Sequence, residues 1–298
     1  MTAPVAPFGR MLTAMVTPFH DDGSVDLDGV ARVAAHLVDN GNAGVVVSGT
    51  TGESPTTTVA EDGQVLAAVK DAVGDRATVV AGVGTNSTAH SVELAEQAAK
   101  VGADAMLLVA PYYNKPSQPG LLEHFRRVVE AGGLPTMLYD VPSRTGTTIA
   151  LETYQRAAEW EQVIAVKDAV GDLPRAARLA DLGLAVYCGD DVATLGFLAH
   201  GACGLVSVVG HVAGRELAGM IEAFLAGDHA AALTTYNRLL PAFDAVMAVP
   251  NYGATTAKAA LQLAGVLDNR TVRGPLLELD DDELAALRAG LVAAGLLS

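Results

Sequence analysis

The chain has 298 residues, half of them apolar, and a formal net charge of −15. That length supports one domain of roughly 200–250 residues with an appendage, and that composition excludes a disordered chain. The acidic balance argues against a nucleic-acid partner, which needs a basic surface, and no apolar run approaches the roughly 20 residues that cross a bilayer, so no membrane association is expected.

Eight short apolar, β-branched runs follow one another at residues 12–16, 44–47, 78–81, 105–109, 136–138, 163–166, 184–187 and 205–209. Each leads through loop residues into an Ala-rich segment, and at 27–38, 92–101 and 173–182 the apolar positions fall three or four apart, the period of a helix. Asp26 is placed to cap the first helix and the Ser87-Thr88 pair the third. Strand–helix units of about 25–30 residues are what parallel βαβ connections require. Eight of them predict an α/β fold, a closed (β/α)8 TIM barrel over residues 1–227. A doubly wound open sheet is the alternative, disfavoured by the count of eight and the near-continuous apolarity of the strands. Residues 228–298 predict a C-terminal helical region, with starts near Asp228, near Thr255 and at Asp280-Asp281-Asp282-Glu283. That acidic cluster reads better as charge opposing a helix dipole than as a metal site.

No basic stretch followed by an apolar core opens the chain, so no signal peptide is expected. Cys188 and Cys203 belong to no CxxC pair and read as small buried thiols of a reducing compartment. A cytoplasmic location is expected.

In a barrel of this kind chemistry sits where strands end. Lys167 follows the apolar run Val163-Ile164-Ala165-Val166. A buried lysine loses several kcal/mol of hydration and tends to shed its proton, which leaves an amine that attacks carbonyl carbon. Ser48-Gly49-Thr50-Thr51-Gly52-Glu53-Ser54 follows the second strand; alone it reads first as a tight turn with a capped helix, and its hydroxyls and backbone N–H groups could also hold a carboxylate. Pro111-Tyr112-Tyr113-Asn114-Lys115-Pro116 follows the fourth strand; its phenols suit proton relay or a subunit contact. After the fifth strand come Tyr139 and Arg144, the latter suited to a two-pronged carboxylate contact or a surface ion pair. Gly189-Asp190-Asp191 follows the seventh strand as ligand contacts or a helix cap, and Val206-Ser207 comes from the eighth. Gly82-Val83-Gly84 lacks the third glycine of a dinucleotide fingerprint. His200 and Cys203 have no second ligand pair, and no metal site is expected.

The ordered motifs GTTGE, PYYNKP, LYDVPSRTG, VKD, GDD and GLVSV resemble the dihydrodipicolinate synthase family, and stretches such as GTTGESPTTT and SVVGHVA resemble its actinobacterial members. The family lies within the pyruvate-dependent class I aldolases that include N-acetylneuraminate lyase. The resemblance spans nearly the whole chain. It implies a Schiff base between Lys167 and pyruvate, with no other cofactor, and Tyr139 as the proton relay beside it. It implies that Thr51 passes protons on to Tyr113 of a neighbouring subunit, and that Thr50 and Thr51 hold the pyruvate carboxylate. Arg144 would hold the carboxylate of L-aspartate 4-semialdehyde, and Gly189 and Val206 would add backbone groups. A homotetramer built as a dimer of dimers is implied, in the diaminopimelate route to lysine.

Three rivals remain at this point: a sialic acid lyase or 2-keto-3-deoxy sugar acid aldolase of the same superfamily, a non-catalytic keto-acid-binding barrel, and a nucleotide-dependent dehydrogenase. Arg144 and the Tyr112-Tyr113 pair favour the synthase, and the intact set of Lys167, Tyr139, Thr51, Tyr113 and Arg144 argues against a mere binder. Many members of the family bind feedback lysine at a subunit interface. Ser54, Asn86 and Tyr112 match that site, but His90 stands where a glutamate is usual, and Val59 and Asp62 stand where histidines are common. An imidazole is a poor partner for an ammonium group. Weak or absent inhibition by lysine is therefore predicted; steady-state assays showing clear inhibition at micromolar lysine would refute it.

Overall fold

In the computed structural model, which describes residues 3–249 and 253–298, the strands are β1 (Met11–Ala14), β2 (Gly44–Val47), β3 (Thr78–Gly82), β4 (Ala105–Val109), β5 (Thr136–Asp140), β6 (Val163–Asp168), β7 (Ala185–Cys188) and β8 (Gly204–Ser207). They pair in parallel in chain order, and β8 returns to β1 with Met11 opposite Leu205, so the sheet closes. Closure removes both edges and excludes the open doubly wound sheet. Met1 and Thr2, the start of the segment read as free of a leader, lie outside the described residues.

Alternation along each strand splits the apolar residues into two cores. Leu12, Val46, Val80, Leu107, Met137, Ala165 and Val206 fill the barrel interior. Met11, Val45, Val79, Met106, Leu138, Val166 and Leu205, one step out of phase, pack against the surrounding helices. Parity then decides the polar ends. Tyr139 is two residues past Met137 and Lys167 two past Ala165, so both face inward, whereas Asp140 and Asp168 face the helices. β5 and β6 run to these aspartates rather than stopping at residues 138 and 166, because Tyr139 pairs with Lys167 and Asp140 with Asp168 in register.

The helices around the barrel are α1 (Leu27–Asp39), α2 (Val59–Val73), α3 (Thr88–Val101), α4 (Gln118–Gly132), the single turn α5 (Pro142–Thr145), α6 (Leu151–Ala157), α7 (Leu173–Asp181), α8 (Thr194–Ala199) and α9 (Gly210–Leu225). Asp26 accepts from the Gly29 N–H and Ser87 from the His90 N–H, which satisfies N–H groups that a helix start leaves orphaned. Three more helices follow: α10 (His229–Met247), α11 (Ala254–Leu263) and α12 (Asp281–Ala293). Asp228 caps α10, and Asp280 and Glu283 form a reciprocal capping box at α12, so the acidic cluster is a helix start. α10 packs along α9 and α12, and α11 packs against both. No helix among the described residues is long and apolar enough to cross a membrane. Cys188 and Cys203 are buried, free thiols.

The candidate active site

A cavity of about 110 Å³ opens at the strand ends, and its walls include Ala14, Val46, Thr50, Thr51, Tyr139, Arg144, Lys167, Gly189, Asp191 and Met247. Four separate βα loops, from β2, β5, β6 and β7, thus converge on one volume. A second cavity of about 180 Å³ shares Thr50, Leu107, Tyr139, Val141 and Arg144 with the first and extends to Ser54 and Tyr112.

Lys167 is 5% exposed, and its amine lies 4.5 Å from the centroid of the Tyr139 ring. Burial lowers its pKa from 10.5 to about 8, helped by the Arg144 guanidinium and opposed by the Asp191 carboxylate. A free-base fraction is therefore available near neutral pH, where an exposed lysine would have almost none. Asp191 is itself buried; it accepts from the Ser207 hydroxyl and from the Val208 and Val209 N–H groups at 2.9 and 3.2 Å. Neither Asp190 nor Asp191 caps α8, whose first turn has no side-chain cap. Asp191 ties the β7 loop to the end of β8 instead, and burial raises its carboxyl pKa.

The structure brings together Thr50, Thr51, Tyr139, Arg144, Lys167 and Gly189. Val206 lies deeper, in the barrel interior, and Val208 lines the cavity in its place. Tyr113 stands apart: it is 87% exposed and holds a left-handed φ of 73°, uncommon for any residue but glycine. The glycines at 82 and 84 serve packing. A Cβ would stand 2.3 Å from the Ser48 carbonyl oxygen at position 82 and 2.4 Å from the Val109 nitrogen at position 84.

The dihydrodipicolinate synthetase family model matches residues 7–294. The chain belongs to that family. It is 56% identical over 291 residues to the 4-hydroxy-tetrahydrodipicolinate synthase of Acidothermus cellulolyticus, covering 97% of this chain and 94% of the relative. Among solved structures, it resembles the lysine-bound enzyme of Cyanidioschyzon merolae, with a TM-score of 0.93, 41% identity and coverage of 97% and 99%. It also resembles the pyruvate complex of the enzyme from Acinetobacter baumannii, with a TM-score of 0.92, 35% identity and coverage of 97% and 100%.

Within this family fold, the residues matched to a lysine site spread around the second cavity. Ser54 and Tyr112 line it, while Asn86 and His90 are exposed on the loop and helix beyond. Asp62 is buried outside that cavity's lining, accepts from the Thr57 hydroxyl at 2.8 Å, and has its pKa raised by that burial.

One supporting residue escapes a motif reading. Arg175 of α7 is buried and donates to Asp168 at 2.8 Å and to Asp140 at 2.5 Å, as well as to the Ile149 carbonyl at 3.0 Å. These aspartates are the outward neighbours of Lys167 and Tyr139, so one guanidinium clamps the two strands that carry the inward pair. Burial raises both carboxyls, Asp140 to about 6, against the pull of Arg175. The trace in the sequence is a charge on the same helix face as Ala176 and Leu179. Removing one partner of a buried ion pair strands the other. Arg175→Met should therefore cost about 3–5 kcal/mol, read from denaturant midpoints, whereas a loss below about 1 kcal/mol would show that the clamp contributes little.

Proposed function

We propose that this cavity condenses pyruvate with L-aspartate 4-semialdehyde to 4-hydroxy-tetrahydrodipicolinate, the lyase chemistry for which its relatives are named. The carrying observation is the buried, pKa-lowered Lys167 at the cavity wall beside Tyr139. The neutral amine adds to the keto carbon, and loss of water gives an iminium that draws electrons from the adjacent methyl group. Loss of a methyl proton gives an enamine, whose carbon attacks the aldehyde; the aldehyde oxygen takes a proton and becomes the hydroxyl of the product. The amino group of the second substrate then closes on the imine carbon and releases Lys167. One water is lost overall. The covalent imine serves as the electron sink, and no further cofactor enters the scheme.

Tyr139, against the amine, supplies and removes protons at the imine and at the aldehyde oxygen. Thr50 and Thr51 hold the pyruvate carboxylate, with Gly189 and the β8 end completing the wall. Arg144, on the single turn α5 at the boundary of both cavities, holds the carboxylate of the aldehyde substrate. Its charge also lowers the proton affinity of Lys167. The exposed, strained Tyr113 is the proposed link from Thr51 to an adjacent protomer in a tetramer of two tight dimers. Strain of this kind persists where surroundings over-determine it, and a strained tyrosine left 87% exposed supports a contact of this ring with a second subunit.

The test is borohydride reduction with pyruvate followed by peptide mass analysis. A reduced adduct is expected on Lys167 and on no other lysine. Tyr139→Phe should retain the adduct and lose turnover by about 10²–10⁴-fold, the range for an acid–base group. No adduct on Lys167 refutes the imine, near-normal turnover of Tyr139→Phe refutes the relay, and preference for sugar acids over aspartate semialdehyde shifts the assignment to an aldolase.

A further inference from the structure

The loop that carries Thr50 and Thr51 is fastened to the C-terminal region through a charge pair closed off from water. Glu53 and Lys258 are 2% and 1% exposed. The Lys258 amine donates to Glu53 Oε1 at 2.5 Å and to the Thr271 carbonyl at 2.7 Å, and the Arg273 N–H donates to Glu53 Oε2 at 2.8 Å. Both carboxylate oxygens are therefore engaged from beyond the barrel. The Phe19 ring receives the two cations, Lys258 at 4.1 Å and Arg273 at 4.4 Å from its centroid. Arg273 also donates to Glu61 at 2.6 Å and to the Thr56 carbonyl at 2.8 Å, on the far side of the same loop.

Glu53 adopts a left-handed φ of 59°, and its N–H closes a turn on the Thr50 carbonyl at 3.0 Å. The Gly52 carbonyl accepts from Thr17 at 2.7 Å. This conformation aims the side chain of Glu53 away from the cavity while the two threonines face it. At the start of α11, a Cβ on Gly253 would lie 3.6 Å from the Thr51 hydroxyl, and Met247 at the end of α10 lines the cavity itself. A buried ion pair is a poor source of net stability, since apolar replacements of similar volume are often neutral or better. Its usefulness lies in geometry, and here it ends two residues from Thr51.

We infer that Glu53 and Lys258 form a positioning pair that sets Thr50 and Thr51 for the carboxylate of the keto acid, so that the C-terminal region helps shape the site. The inference rests on the imine reading above. The test compares the intact protein with Glu53→Gln/Lys258→Met, which removes both charges and keeps an acceptor for the Arg273 N–H. Rates are expressed per site trapped by pyruvate and borohydride, so that misfolded protein is not counted. The double variant should lose about 10–100-fold in kcat, the effect of a displacement remote from the chemistry, and its KM for pyruvate should rise. Its KM for the aldehyde should stay within about twofold, because Arg144 is untouched. A merely structural pair would change thermal stability and the trapped fraction but leave kcat and pyruvate KM per trapped site unchanged, and that result overturns the inference. If the double variant fails to fold, Glu53→Gln alone keeps the shape and an acceptor and is read by the same split. Absence of any adduct in the unaltered protein would instead refute the imine reading itself.

Discussion

An amine held out of water at the mouth of a closed sheet cannot keep its proton as readily as one in solvent, and the site is organised around that constraint. Strand parity sends Lys167 inward beside Tyr139, and register fixes the two side by side. Burial then lowers the affinity of Lys167 for its proton, and a guanidinium at the rim, Arg144, lowers it further. The cation proposed to hold a carboxylate substrate thus also lowers the proton affinity of the proposed nucleophile.

The support for this arrangement lies outside the cavity, in two buried charge clusters. Arg175 holds the outward aspartates of β5 and β6. Lys258 and Arg273 hold Glu53 in the loop after β2. The Lys167–Tyr139 pair and the loop proposed to bind the carboxylate are therefore each fixed from behind by ionised groups that are costly to rearrange. Such clusters are a weak source of net stability, because apolar groups of similar volume often do as well. They also divide labour within the chain, because one is built wholly inside the barrel and the other joins the barrel to the helices that follow it.

The strands were legible because parallel barrel strands are apolar on both faces and bounded by loop residues, and β2 and β4 end where the pattern ends. The polar ends of β5 and β6 were not, because Tyr139, Asp140, Lys167 and Asp168 look like loop chemistry until register shows them paired. Lys167, Tyr139, Thr51 and Arg144 stood out as reactive groups at strand ends, which is a local signal. Arg175, Glu53 and Lys258 did not, since nothing in a linear sequence shows that charges 35 or 205 positions apart share one enclosed space. The alternate reading of Asp191 as a helix cap failed for the same reason: its partners lie at the end of β8 and just past it.

The proposed chemistry depends most directly on the proton affinity of one amine. With lysine labelled with carbon-13 at Cε, NMR titration of the free protein would follow it, its resonance identified by disappearance in Lys167→Arg; Lys258, also lowered to about 8, must be told apart in this way. A midpoint for Lys167 near 8 is the predicted result. A midpoint near 10.5, the value of a solvated lysine, would contradict it.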